Sequence, residues 1–150
     1  MGTKSKIVLA SGVFDLIHFG HIKFLEEAKK AGGSNAKLIV IVARDSTVEK
    51  LKGKPPVLPE DERRIIVETL KPVDAAFLGS EPLDVKDVIR QCKPDVIAFG
   101  HDQSKIQPKV EKYIKDHNLP IKTVKIDKFG KEDINSSSKI KSRVIMQLKK

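Results

Sequence analysis

Two histidines three residues apart stand in the stretch SGVFDLIHFGH, residues 11–21. Gly20 lies between His18 and His21, and a charged, helix-like segment follows. On the first turn of a helix, both imidazoles can face one side, beside backbone N–H groups at the positive end of the dipole. This arrangement suits polyphosphate oxygens, because Gly20 lets a phosphate approach the backbone. A carboxylate ligand would fit the same groups less specifically. The simpler explanation is that one histidine packs in the core and the other lies at the surface. No third His or Cys has zinc-site spacing.

A second group of basic residues follows the predicted second strand. Lys50, Lys52 and Lys54 surround Gly53, and an Arg-Arg pair, Arg63 and Arg64, comes next in a predicted helix. A loop with glycine and lysines at such a place can close over phosphates. Of two adjacent helical arginines, only one is expected to face the same side. A solvated run of lysines explains the pattern equally well.

Polar residues also follow the predicted fourth strand and open the last helix. Gly100 and Asp102 stand in the sequence GHDQ, where Asp102 can bind ribose hydroxyls, an amine or a metal, or simply cap the next helix. The stretch INSSSKIKSRV begins the last helix with three consecutive serines, Ser136 and Ser137 among them. Their hydroxyl and N–H groups can form an anion site. Capping alone is the alternative.

Apolar runs and helix-like segments alternate along the whole chain, which predicts the elements that must position these residues. The predicted strands cover residues 6–11, 37–43, 73–79, 94–100 and 121–126, and the predicted helices cover roughly residues 21–32, 60–70, 83–92, 105–117 and 136–148. The polar, proline-bearing segment 44–59 is predicted as a loop. The pattern predicts an α/β fold: a single Rossmann-like, doubly wound domain over residues 1–150, with a five-stranded parallel sheet and helices on both faces. Ligands of such sheets bind beyond the carboxyl ends of the strands, where the candidate residues stand.

Composition limits the classes of function. With 39% hydrophobic and 33% charged residues among 150, the chain is typical of one globular domain. No apolar run reaches the roughly 18–20 residues of a membrane span, and no signal peptide is evident. The single cysteine, Cys92, excludes an internal disulfide, so a cytoplasmic location is predicted. A net charge of +9 attracts polyanions, but one Tyr and no Trp provide no aromatic platform for nucleic acid.

Taken together, the motifs resemble a known family. GVFDLIHFGH resembles the Gly-x-Phe-Asp-x-x-His-x-Gly-His signature of the cytidylyltransferase-like nucleotidyltransferases, and SSSKIKSRV resembles the start of their closing helix. The resemblance implies an enzyme that joins a nucleoside triphosphate to a phosphorylated acceptor and releases pyrophosphate, without a covalent enzyme intermediate. Within the family, residues 41–74 are most similar to the archaeal FAD synthases, which transfer AMP from ATP to FMN.

The resemblance also implies roles for individual residues. It assigns catalysis to His18, His21, Lys54 and Arg63, with Lys52 as an alternative to Lys54 over the triphosphate. It assigns nucleotide binding to Val13, Phe14, His18, Phe19, Gly20, His21, Gly100, Asp102, Ser136 and Ser137, to which we add Phe129 as an adenine-stacking ring. The implied cofactor is a divalent metal ion, such as Mg²⁺, that arrives with ATP. Asp15 is ambiguous, because it can orient the acceptor or a metal, or simply hold the turn.

The acceptor is the least determined part of this expectation. The expected partners are ATP and a phosphorylated small molecule, of which FMN is favoured. Binding to nucleic acid or to a membrane is not expected, and the chain is compatible with a homodimer. The same region is also similar to heptose-1-phosphate adenylyltransferase domains and to glycerol-3-phosphate cytidylyltransferase. Lys131 stands where the latter has an arginine, which weakens the CTP alternative. A non-catalytic nucleotide- or nucleic-acid-binding module is the alternative from another class.

Overall fold

The computed structural model describes residues 4–81, 84–130 and 134–149. The strands are β1 (Ile7–Gly12), β2 (Lys37–Val42), β3 (Ala75–Leu78), β4 (Val96–Phe99) and β5 (Lys122–Lys125). The helices are α1 (Phe19–Lys30), α2 (Asp45–Lys52), α3 (Glu60–Thr69), α4 (Val85–Cys92), α5 (Gln107–Asp116) and α6 (Ser137–Leu148). No helix within these ranges is long and apolar enough to cross a bilayer.

The five strands form one parallel sheet in the order β3-β2-β1-β4-β5. This confirms the predicted α/β fold and its five-stranded parallel sheet. The chain first extends the sheet from β1 toward β3 and then returns to add β4 on the other side of β1. The change of direction lies between β1 and β4, so a ligand cleft is expected at the carboxyl ends of these two strands.

Helices cover both faces of the sheet, because successive apolar side chains of each strand point to opposite faces and both faces are therefore apolar. One face carries Val8, Ala10 and Val40, which pack with Leu25 of α1 and Val67 of α3. The opposite face carries residues such as Leu9 and Ile97, which pack with Ile89 of α4 and Val110 of α5. Two separate apolar cores therefore hold the sheet rigid beneath the residues at its carboxyl edge.

The structure corrects the prediction in one segment. Part of the stretch predicted as a loop, residues 44–59, forms α2, which ends at Gly53 in the left-handed conformation (φ 74°). The helix is short, buries only Val48, and begins at Arg44 without a side-chain cap. The N–H group of its first residue, Asp45, donates a hydrogen bond to the Glu60 carboxylate of α3 at 3.0 Å. Tertiary contacts thus stabilise a helix that the local sequence does not predict.

The last helix differs from an ordinary amphipathic helix. None of its residues is buried, and its apolar side chains Val144, Ile145 and Leu148 are exposed, Leu148 to 81%. The N-terminal part of the helix contacts the segment between β1 and α1: the Ser137 hydroxyl hydrogen-bonds its backbone, and Lys141 approaches the Asp15 carboxylate at 3.8 Å. Within the described ranges, α6 therefore contributes mainly its first turn to the functional edge.

Candidate active site

A cavity of about 320 Å³ lies at the carboxyl ends of β1 and β4, where the topology predicts a ligand cleft. Five segments form its walls: the turn after β1 with the start of α1, the end of α2, and the segments after β4, after β5 and before α6. The lining residues are 11–15, His18, Gly20, His21, Phe24, Lys52, 100–103, 126–129 and 135–138. Its volume is at the lower end of the range for small-molecule sites.

The two histidines begin α1 as a reciprocal cap. The Gly20 N–H donates to Nδ1 of His18 at 3.1 Å, and the His18 N–H donates to Nδ1 of His21 at 3.2 Å. The two rings lie 3.9 Å apart between centroids. Because each Nδ1 accepts a backbone hydrogen, the proton of each neutral ring is on Nε2. Each imidazole therefore offers one Nε2–H group to a ligand in the cavity.

Both histidines are held in the neutral form. Burial, the neighbouring His18 and the charge of Lys52 lower the pKa of His21 to about 4, although Asp15 opposes the shift. Burial and then Lys128 lower the pKa of His18. At neutral pH the pair is therefore a set of uncharged hydrogen-bond donors, and the positive charge of the site comes from lysines.

Gly20 has no room for a side chain. A Cβ at this position would lie 2.9 Å from both Cε1 of His18 and the backbone oxygen of Phe129. The start of α1 is therefore packed tightly against the segment after β5, whose residues 126–129 also line the cavity. The aromatic residue next to the glycine, Phe19, is placed differently from the prediction: its side chain is 61% exposed and does not line the cavity.

The structure separates the two candidate lysines. Lys52, in the last turn of α2, lines the cavity, whereas Lys54, beyond the left-handed Gly53, does not. Lys128, which the sequence interpretation did not single out, also lines the cavity and affects His18 electrostatically. Its position two residues after the predicted strand 121–126 is the signal that could have identified it.

Arg63 is also placed differently from the prediction of a catalytic residue at the triphosphate. Its side chain is 0% exposed and does not line the cavity. The guanidinium donates to the carbonyls of Val13 (2.7 Å) and Leu58 (2.9 Å) and to Oδ1 of Asp45 (2.7 Å). Each of the three guanidinium nitrogens thus donates to a protein acceptor, so the arginine holds the backbone around the cavity. Arg64 points elsewhere and pairs with Glu68.

The serines before the last helix line the cavity and are also tied to the protein. The Ser136 hydroxyl caps α6 by accepting from the Lys139 N–H at 3.2 Å, and the Ser137 hydroxyl donates to the carbonyl of Asp15. Ser138 and Asn135 line the cavity beside them. Capping and cavity lining, which the sequence presented as alternatives, therefore occur together.

After β4, the predicted Gly100 and Asp102 line the cavity, and an additional residue organises this wall. Gln103 accepts from the Gly100 N–H at 2.9 Å and donates to the carbonyl and hydroxyl oxygens of Ser11. It therefore fastens the end of β4 to the end of β1. Its position in GHDQ, directly after a strand, was visible in the sequence, but its two partners are distant in the chain.

The remaining predicted nucleotide-binding residues, Val13, Phe14, Phe129, also line the cavity. Lys131 lies outside the described residues. Among residues 4–81, 84–130 and 134–149, no group of three or more His, Cys, Asp or Glu side chains is arranged to hold a metal ion. The aspartates on the walls, Asp102 and Asp127 among them, are accordingly candidates for single contacts with a ligand.

Comparisons with known proteins agree with this geometry. The model of the family described as cytidylyltransferase-like matches residues 9–143. The FAD synthase of Aciduliprofundum boonei is 43% identical over 138 residues, covering 92% of this chain and 89% of that protein. The FAD synthase of Ferroglobus placidus is 46% identical over 143 residues, with 93% and 88% covered.

A solved structure shows the same fold. The lipopolysaccharide core biosynthesis protein of Thermoplasma volcanium superposes with a TM-score of 0.75 at 38% identity, over 85% of this chain and all of that one. The family match covers both the histidine turn and the start of α6, which the cavity brings together. The chain belongs to the cytidylyltransferase-like family of nucleotidyltransferases.

Proposed function

We propose that the protein is an FAD synthase, which transfers the AMP moiety of ATP to FMN and releases pyrophosphate. The observation that supports nucleotidyl transfer is the meeting of two neutral histidines, two lysines and the serines of α6 in one cavity. ATP as donor and FMN as acceptor are favoured by the relatives named FAD synthase, which are similar over nearly the whole chain.

In this reaction a phosphate oxygen of FMN attacks the α-phosphorus of ATP. The new P–O bond forms as the bond from the α-phosphorus to the bridging oxygen breaks, and pyrophosphate leaves with the added negative charge. Such transfers depend on positioning and charge stabilisation and need no protein nucleophile. The Nε2–H groups of His18 and His21 would donate to phosphate oxygens, while Lys52 and Lys128 would supply positive charge.

The other walls would hold the rest of ATP. Ser136 would bind phosphate through its hydroxyl hydrogen, and Ser137 would bind it through its N–H group beside the N–H of Ser138, since these N–H groups have no intrahelical acceptor. The Ser137 hydroxyl and the Lys139 N–H already have protein partners. Asp102 would meet the ribose or base beside Gly100, and Phe129 would stack on adenine. The backbone of Val13 and Phe14 would complete the pocket.

A divalent ion fits this site as part of the substrate. The cavity offers single carboxylates, such as Asp102 and Asp127, and the triphosphate itself supplies oxygen ligands of the type that Mg²⁺ prefers. Bound in this way, the ion neutralises charge on the triphosphate. Location in the cytoplasm, a homodimer and the absence of nucleic-acid binding stay predictions.

An acceptor screen tests the proposal. ATP and CTP are each offered with FMN, glycerol 3-phosphate and heptose 1-phosphate in the presence of Mg²⁺, and pyrophosphate release is measured. We expect turnover with ATP and FMN. Turnover with a sugar phosphate instead would replace FMN as the acceptor and leave the reaction type unchanged. Nucleotide binding without turnover of any pair would favour a non-catalytic module.

A further inference from the structure

Asp15 is a buried carboxylate in a strained turn. Its side chain is 6% exposed, and the residues on either side, Phe14 and Leu16, have positive φ angles of 54° and 55°. Positive φ costs free energy for residues other than glycine, and such strain persists where surrounding contacts fix the conformation. The contacts of Asp15 therefore identify what holds the turn that carries His18 and His21.

Both carboxylate oxygens of Asp15 are used by one backbone segment. The Val57 N–H donates to Oδ2 at 2.8 Å, and the Leu58 N–H donates to Oδ1 at 3.0 Å. Lys141 of α6 approaches Oδ2 at 3.8 Å. Both oxygens of the carboxylate thus bind groups of the protein itself. These contacts favour a structural role for Asp15 over a role in orienting the acceptor or a metal ion.

Arg63 fixes the same segment from the other side. It binds the carbonyl of Leu58, whose N–H is held by Asp15, and it also binds the carbonyl of Val13 in the strained turn. Its third bond, to Asp45, holds the first residue of α2. The helix α2 is therefore tied at its start by Arg63 and, after its end, through residues 57–58 by Asp15.

Lys52 lies between these two ties, in the last turn of α2 and on the cavity wall. We propose that Asp15 is a positioning residue, which fixes the segment after α2 to the histidine turn and so holds Lys52 at the distance from His18 and His21 that a triphosphate requires. This inference rests on the proposed function only in that it takes the ligand to be a nucleoside triphosphate. FMN has no part in it.

The first test is a double-mutant cycle that combines Asp15→Asn with Lys52→Ala. The measured quantity is the dissociation constant of α,β-methylene-ATP with Mg²⁺, which needs no acceptor. If Asp15 acts through Lys52, its replacement costs at most the charged hydrogen bond of that lysine, so we expect Asp15→Asn to weaken binding about 10- to 100-fold. Because Asp15 acts through Lys52, the double variant should bind little more weakly than Lys52→Ala alone. Losses that multiply would overturn the proposal.

A matched control separates positioning from general loss of stability. Asp74 also accepts a backbone N–H, from Leu38 at 2.8 Å, but it does so at the opposite edge of the sheet. Asp74→Asn should leave the affinity for the analogue within about twofold of wild type, since sites that share no partners act independently. An equal loss of affinity in both aspartate variants would contradict a specific role for Asp15.

A second pair of variants leaves the turn itself untouched, in case Asp15→Asn does not fold. The Val57 side chain is 57% exposed, so it can be replaced with little loss of packing. Val57→Pro removes the N–H that donates to Asp15, whereas Val57→Ala retains it. We expect weaker nucleotide binding in the proline variant only, together with faster amide exchange at Leu58. Equal binding by the two variants would overturn the proposal.

These outcomes are distinguishable from failure of the proposed function. A wild-type protein that binds the analogue but makes no FAD would refute FMN as acceptor, while the cycle would still report on Asp15. A wild-type protein that binds no nucleoside triphosphate would refute both.

Discussion

The neutral state of His21 predicts a specific dependence of stability on pH. The pKa of the folded protein is about 4 at this residue, compared with the ordinary value of 6.5 expected in the unfolded chain. Between these values the unfolded chain binds a proton that the folded chain does not. The free energy of unfolding therefore falls as the pH is lowered through this window. From pH 7 to pH 5, the loss due to His21 is about 2 kcal/mol, and it approaches about 3 kcal/mol near pH 4.

The variant His21→Asn isolates this contribution. Asparagine does not titrate, and its Oδ1 can accept the His18 N–H that Nδ1 accepts in the wild type. Chemical unfolding of both proteins at pH 7 and pH 5 gives two free-energy differences, from which the titration of groups other than His21 and the coupled His18 cancels. We expect the wild type to lose about 2 kcal/mol more than the variant between the two pH values. Equal losses would refute the conclusion that His21 is buried in its neutral form.

Three further predictions follow from neighbouring parts of the site. Arg63→Met should lower the free energy of unfolding by about 1–3 kcal/mol, because it leaves two part-buried carbonyls and the Asp45 carboxylate without their donor. Arg64→Met, at a partly exposed ion pair, should cost about 0–1 kcal/mol in the same denaturation assay. Lys52→Ala should reduce the rate of pyrophosphate release on the order of 10²–10³-fold, whereas Lys54→Ala should leave the rate within a few-fold of wild type. A larger loss of rate in Lys54→Ala than in Lys52→Ala would favour Lys54 as the catalytic lysine. Gly20→Ala should raise the KM for ATP, since its Cβ would lie 2.9 Å from a ring carbon and a backbone oxygen.

The sheet could be predicted from sequence because its signals are local. The continuous apolar run at 37–43 marks a strand covered on both faces, and β2 occupies Lys37–Val42. The first helix begins at Phe19 and not at the predicted residue 21, because His18 acts as its N-cap. Histidine is not among the common capping residues, so sequence rules place the start of α1 later.

The parts of the site that sequence could not provide depend on distant contacts. The adjacent pair Arg63 and Arg64 was expected to place only one arginine toward the site, but the pattern does not show that Arg63 would be fully buried among three acceptors. Likewise, Lys52 and Lys54 differ by two residues, and only the helix α2, held by Glu60 and Arg63, places Lys52 on the cavity wall. The role of Asp15 is visible only once residues 57–58 are folded against it.

The most direct test of the central claim follows the phosphates of ATP. Purified protein is incubated with FMN, Mg²⁺ and ATP labelled either at the α- or at the γ-phosphate, and the products are separated. Transfer of AMP predicts that the α-label appears in FAD and the γ-label in pyrophosphate, with both signals reduced on the order of 10²–10³-fold in His18→Ala. Appearance of the γ-label in the flavin product, or no labelled FAD at all, would contradict the account.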